Sequence, residues 1–258
     1  MADIPGTEFG DELYGTTGND TINGLGGGDE IYGNNGNDII DGGTGGDWLY
    51  GGNGVDYLYG QEGDDTLRGN AGDDILVGSD GMDILAGGFG ADQIFGGNGN
   101  DRLYAADPAE IGEDYADHML HGDNGIDLVY GAGGNDRLFG GADDDFLEGG
   151  GGDDILSGGA GNDALVAGRN IYGDGGSDVF YGGSGADIFF VDNAAATIMD
   201  FSLAEQDVMR FRNSENIEIV EDAENSQLHI YGETIAVTVF ADPSEFQDII
   251  DDGIQLYN

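Results

Sequence analysis

The sequence predicts an all-β fold: a right-handed parallel β-roll, or β-solenoid, of nine-residue repeats followed by a β-rich C-terminal cap. Three observations predict it. Aspartate recurs every nine residues at Asp11, Asp20, Asp29, Asp38, Asp47, Asp56, Asp65, Asp74, Asp83, Asp92 and Asp101, then at Asp127, Asp136, Asp145, Asp154 and Asp163, and again at Asp178 and Asp187. Two residues beyond each stands Leu, Ile, Val or Phe, from Leu13 and Ile22 to Phe180 and Phe189. Glycine opens every unit five residues ahead of its aspartate, from Gly6 to Gly182, and returns at the fourth position except at Phe9 and Asp143.

Each unit then reads as turn and strand. Positions seven to nine form a minimal strand whose middle residue points inward while its flanks point outward. The six residues before it form a turn, where glycine allows positive φ and close packing of successive turns. Two units, one per side, complete a coil, and coils stack at the inter-strand spacing of about 4.8 Å. Residues 1–190 are expected to form this roll.

Two stretches break the register. Within the insertion at 105–121, Asp107 and Pro108 read as the N-cap and first position of a short helix, and "HMLH" restores the phase with Leu120 in the aliphatic slot. In the minor break at 167–172, Ile171 takes that slot with no aspartate before it. Both coils are expected to keep the strand and lose the acidic turn. His118 and His121 lack a third ligand at zinc-site spacing and are expected to decorate the surface.

From 191 to 258 the repeats stop. "ATIMDF" (196–201), "DVMRF" (207–211), "NIEIV" (216–220), "SQLHIY" (226–231) and "TIAVTVF" (234–240) read as strands. Asp242, Pro243 and Glu245 read as a helix start with a capping box.

Charge sets the next constraint. The 258 residues carry 53 acidic against 6 basic side chains, a net charge of −47, with no cysteine. Such self-repulsion opposes a compact state unless counter-cations offset it. The core offers one aliphatic residue per strand, while ordering the backbone costs about 1–2 kcal/mol per residue. The apolar column alone is therefore too thin to hold the coils together. Nucleic acid and anionic membranes are poor partners because both call for basic patches. No stretch reaches transmembrane length, and the N-terminus lacks the basic and apolar regions of a cleaved signal.

The spelling G-G-x-G-x-D-x-U-x, as in "GGNGNDRLY" (96–104) and "GGNGVDYLY" (51–59), resembles the RTX (repeats-in-toxin) nonapeptide over roughly residues 6–190. The resemblance implies bound calcium. A hard cation takes six to eight oxygens. The eighteen aspartates above would supply carboxylates from units two apart. Turn carbonyls would come from the fourth-position glycines Gly18, Gly27, Gly36, Gly45, Gly54, Gly63, Gly72, Gly81, Gly90, Gly99, Gly134, Gly152, Gly161 and Gly185. A continuous roll would hold about sixteen ions and one broken at both interruptions about twelve. Asp200 and Asp207 are a further candidate cation pair.

Residues 185–211 resemble the segment that follows the repeats in proteins exported by type I systems, which implies an uncleaved export signal in 191–258. The metalloprotease motif H-E-x-x-H and the nucleophile elbow G-x-S-x-G are both missing, and no catalytic residue is expected. The expected function is that of a secreted protein that folds on extracellular calcium and serves in a matrix, a biofilm or a surface assembly. It could pair with itself end to end. The alternative is a recognition module whose outward aromatic residues (Tyr14, Tyr32, Tyr50 and Tyr104 on one side, Tyr59 and Phe95 on the other) bind a polysaccharide or surface receptor.

Overall fold

In the computed structural model, successive repeats alternate between two parallel sheets, so that residues 18 apart in the regular repeats become hydrogen-bonded neighbours. The structure describes residues 1–108, 114–168, 176–191, 195–202, 205–212, 218–222, 227–231, 236–240 and 254–257. The first sheet starts with Asp3–Thr7 and Thr21–Leu25, the second with Glu12–Tyr14 and Glu30–Asn35. Register is strict: Leu58 pairs with Leu76 and Leu49 with Leu67, each aliphatic residue above its counterpart. Among the described residues no helix is long and apolar enough to cross a membrane.

The core is two facing columns of eighth-position side chains. Ile22, Ile40, Leu58 and Leu76 belong to one, and Ile31, Leu49, Leu67 and Leu85 to the other, all with no exposed surface. Alternation explains it, because in Trp48–Asn53 the buried Leu49 lies between the outward Trp48 and Tyr50. Toward the C-terminal end Phe180 and Phe189 widen the filling, with ring centroids 6.1 Å apart.

Eleven of the described strands run six residues rather than three. Trp48–Asn53 continues through the first three positions of the next unit, leaving only Gly54, Val55 and Asp56 as the turn. The reason is main-chain pairing: Gly43 and Thr44 still face Gln61 and Glu62 of the next coil while the chain bends at the second position.

The roll runs through both interruptions. Leu120 lies in the core between Ile94 and Leu138, and Asp107 holds the insertion against the second sheet by an ion pair to Arg68 at 2.8 Å. The helix expected after Pro108 and the Ile171 slot fall on 109–113 and 169–175, outside the described residues, as does the helix expected from Asp242. Beyond the repeats the first sheet adds Ala195–Ile198 and Ala236–Phe240 in parallel, then Gln227–Tyr231 and Glu218–Asp222 antiparallel. The second sheet adds Val208–Arg212 and Ile254–Tyr257, the last a strand that the sequence reading did not anticipate.

Candidate metal centre

From Leu25 and Gly27 to Gly159 and Gly161, each repeat turn is set by two residues with positive φ. Position four is almost always glycine, for a steric reason. At Gly54 φ is +131°, and a methyl group there would overlap the Gly36 carbonyl oxygen of the coil below. Position two accepts other residues at a smaller positive φ, such as Asn34 (φ +77°) and Gln61 (φ +80°) in the left-handed region, where its glycines stand near +110°.

This turn stacks the repeat aspartates into two columns. Asp20, Asp38, Asp56, Asp74 and Asp92, then Asp136, Asp154 and Asp178, lead into the first sheet. Asp11, Asp29, Asp47, Asp65, Asp83, Asp101, Asp127, Asp145, Asp163 and Asp187 lead into the second. Within a column each aspartate N–H donates to Oδ1 of the next, as in Asp47 to Asp65 and Asp65 to Asp83, both at 2.8 Å. The second column crosses both interruptions, with Asp101 donating to Asp127 at 2.8 Å and Asp163 to Asp187 at 2.9 Å. All the aspartates from Asp20 to Asp187 in these columns are buried.

Oδ2 has a different fate. In Asp29, Asp38, Asp47, Asp56, Asp65, Asp74, Asp83, Asp92, Asp101, Asp127, Asp136, Asp145, Asp154, Asp163 and Asp187 it is buried and accepts no hydrogen bond. It lies over the first-position glycine, beside a carbonyl of the following coil. A methyl group on Gly51 would sit 2.5 Å from Asp56 Oδ2 and 2.9 Å from the Gly69 oxygen; one on Gly96 would sit 2.5 Å from Asp101 Oδ2 and 2.8 Å from the Gly122 oxygen. An oxygen-lined cradle with an unpartnered carboxylate oxygen suits a hard cation. Among the described residues no three acidic or histidine side chains converge on one point, so such a cation would draw on main-chain carbonyls as well.

Burial makes these carboxylates poor anions without a cation. Desolvation pushes Asp56, Asp65, Asp101, Asp127 and Asp163 up to about 6, Asp74, Asp83 and Asp154 to about 7, Asp145 and Asp178 to about 8, and Asp136 to about 9.

Three places depart from this pattern. Asp11 and Asp20 have partners for Oδ2, namely the N–H and hydroxyl of Thr7 at 2.6 and 2.8 Å and of Thr16 at 2.6 and 2.7 Å. Hydrogen bonds from Ala2 and Thr16 hold Asp20 below its ordinary value, the opposite of Asp38 above it in the column. Second, His118 is no surface residue: its imidazole takes an aspartate's place in the first column. Nδ1 accepts the Asp92 N–H at 3.2 Å, the His118 N–H donates to Asp136 Oδ1 at 2.8 Å, and Nε2 faces Asp114 Oδ2 at 3.4 Å. His121 is also partly buried, stacked between Phe95 and Phe139 with centroids 5.1 and 4.4 Å away. Third, Asp207 extends the second column without a repeat motif, accepting from Asp187 N–H at 3.0 Å and Ser202 N–H at 2.7 Å. Asp200 is not brought to it but accepts from Gly182 and Gly183 N–H at 2.8 and 3.0 Å.

All the fourth-position glycines named from the sequence have positive φ except Gly18. Gly125 (φ +124°) shares their geometry and their spacing to Asp127, yet was not among them. The fifth position carries a second ladder that the sequence reading missed: Asn37 Oδ1 accepts the Val55 N–H at 3.2 Å and Asp64 Oδ1 the Met82 N–H at 2.9 Å.

The chain matches the family model of the RTX calcium-binding nonapeptide repeat over residues 5–40, 41–76, 77–107, 119–147, 139–169 and 170–194. No curated protein matches it. Among solved structures it is similar to the extracellular lipase LipA from Serratia marcescens at 16% identity and a TM-score of 0.32, covering 98% of this chain and 40% of the lipase. The chain thus spans less than half the length of that enzyme.

Proposed function

This chain belongs to the RTX calcium-binding repeat family, and from that premise we propose that it is a secreted, non-enzymatic protein whose roll folds when calcium enters the two aspartate columns. The observation that carries the proposal is the run of buried aspartate Oδ2 atoms without a donor, those from Asp29 to Asp154 each beside a carbonyl of the next coil. In this reading calcium sits between column neighbours such as Asp47 and Asp65 or Asp56 and Asp74. It supplies the positive charge that those oxygens lack and links one coil to the next. The fourth-position glycines contribute by letting the turns approach; their carbonyls and those of the first position complete the oxygen set.

Binding free energy then becomes folding free energy. At the low calcium of a cytosol the chain is an extended polyanion suited to passage through an export channel. In the millimolar calcium of the extracellular space it closes into a roll, within the affinity range of extracellular modules. The role that follows is structural, as a matrix or surface component. The first strand of each sheet, paired on one side only among the described residues, is a route for coil-to-coil association.

The polysaccharide-binding alternative draws less support. Tyr14, Tyr32 and Tyr50 stack face to face with centroids 5.1 and 4.8 Å apart, and the Tyr14 and Tyr32 hydroxyls donate to Glu12 and Glu30. Faces that a sugar would need are engaged by neighbouring rings.

Circular dichroism and light scattering during calcium titration test the proposal. A cooperative gain of β-signal that a chelator reverses is expected. A β-signal indifferent to chelator would reject the folding switch, and a strict monomer at high concentration would reject assembly.

A further inference from the structure

Eighteen repeat aspartates do not make eighteen equivalent rungs. We infer that the chain closes certain rungs with its own donors, so that calcium enters only the rungs left open. The inference rests on the calcium reading above and specifies where in each column the ions lie.

The closed rungs are of three kinds. At the N-terminal end, Thr7 and Thr16 occupy position two but are not among the residues with positive φ. Threonine is β-branched and strongly disfavours that region, so these turns fold differently. Their N–H and hydroxyl groups both reach Oδ2 of Asp11 and Asp20. The same hydroxyls accept the N–H of Phe9 and Gly18 at 3.2 Å, closing the network. Ser79 is an internal control. It carries a hydroxyl at position two, yet its φ is +88° and Asp83 Oδ2 accepts no hydrogen bond. Backbone conformation, not the hydroxyl alone, closes the rung.

His118 closes the middle of the first column. With Nδ1 accepting from Asp92, the neutral ring carries its proton on Nε2, aimed at the Asp114 carboxylate. An uncharged acceptor replaces one carboxylate, so neither interval beside it offers the two carboxylates that an ion would bridge, although Asp92 Oδ2, 3.6 Å from Nδ1, accepts no hydrogen bond. Asp207 ends the second column: both of its own oxygens accept main-chain N–H groups, which leaves it no free oxygen to share with Asp187 Oδ2, although burial still raises it to about 6.

What remains open is the second column from Asp29 to Asp187 and the first column in two blocks, Asp38 to Asp92 and Asp136 to Asp178. Those blocks contain eight, three and two intervals, so thirteen ions are expected rather than the fifteen that adjacent repeat aspartates allow.

Native mass spectrometry of the full chain folded with calcium counts the ions directly. The expected result is thirteen for the wild-type chain and fifteen for H118D, which opens an interval on each side, with H118N remaining at thirteen. The T7G/T16G double variant, which frees the second position for positive φ, should also reach fifteen. S79T, which puts a β-branched residue in an open turn, should lose ions. A wild-type count of fifteen or more would overturn the inference. So would unchanged counts in folded H118D and T7G/T16G, or one zinc ion held by the wild-type chain and lost in H118N. If H118D does not fold, the threonine variants decide. Absence of any bound calcium would reject the calcium reading itself, a distinguishable outcome.

Discussion

Asp20 and Asp38 are neighbours in one column, in turns that differ only in their second and third residues, "GTTGND" at 15–20 and "GNNGND" at 33–38. Their electrostatics are opposite. Hydrogen bonds hold Asp20 below its ordinary value, whereas desolvation raises Asp38 and leaves its Oδ2 without a donor. Asn34 accepts a φ of +77° and donates nothing to Asp38 Oδ2, while Thr16 stays outside that region and donates to the carboxylate. The φ of the second residue therefore separates a repeat that satisfies its own carboxylate from one in need of a cation.

The largest expected effect separates the two kinds of rung by removing the ion. With chelator at pH 8 the open rungs should unfold the roll, seen as loss of β-signal in circular dichroism. Acid should substitute for calcium. Burial raises every open aspartate above its ordinary range, those from Asp56 to Asp178 to folded values of about 6 to 9, so in the metal-free protein their contribution is fully present below about pH 4. It is lost as pH rises through those values. Asp20 has the opposite sign, contributing above its ordinary value and losing that contribution as pH falls through its lowered one. The many open rungs outweigh it, so metal-free chain at pH 5 should regain structure absent at pH 8. No recovery would break the comparison.

Glycine substitution comes next. Gly54→Ala places a side chain at positive φ against the Gly36 carbonyl and should cost more than about 3 kcal/mol in calcium-saturated thermal unfolding. Gly18→Ala, in a closed turn with nothing within 4 Å of the new methyl, should stay within about 0.5 kcal/mol. Equal losses would mean that the two turns do not differ as described.

Core truncation is smaller and tests packing alone. Leu85→Ala, wholly buried, should cost about 2–5 kcal/mol, and Leu13→Ala, only partly buried at the end of its column, clearly less. The smallest effect on the fold is that of single carboxylates. Asp65→Asn should lose two calcium ions per chain and Asp11→Asn none, read by native mass spectrometry.

Much of this was legible in the residues. The nine-residue spacing of aspartate and aliphatic side chains implies two units per coil, and with it the core from Ile22 to Phe189 and the stacking of acids 18 apart. Tail strands such as Gln227–Tyr231 were visible from their alternation. Other features left weaker marks. His118 lies in an irregular unit, and only its place two residues before Leu120 hints that it fills an aspartate's position. Asp207 repeats the D-x-aliphatic signal with Met209 but lacks the glycines that mark a turn. The six-residue strands could not be read because glycine at positions one to three suits a turn and a bent strand equally well. Closure by threonine did carry a signal. Thr7 and Thr16 are the sole β-branched residues at position two, but its meaning needs the φ values of the other units.

The most direct test of the central claim is an anomalous difference map from crystals grown in millimolar calcium. A peak between successive open rungs such as Asp47 and Asp65, with none beside Asp11, Asp20 or His118, is the predicted result. Open rungs without peaks, their Oδ2 atoms bonded instead to water or protein donors, would contradict it.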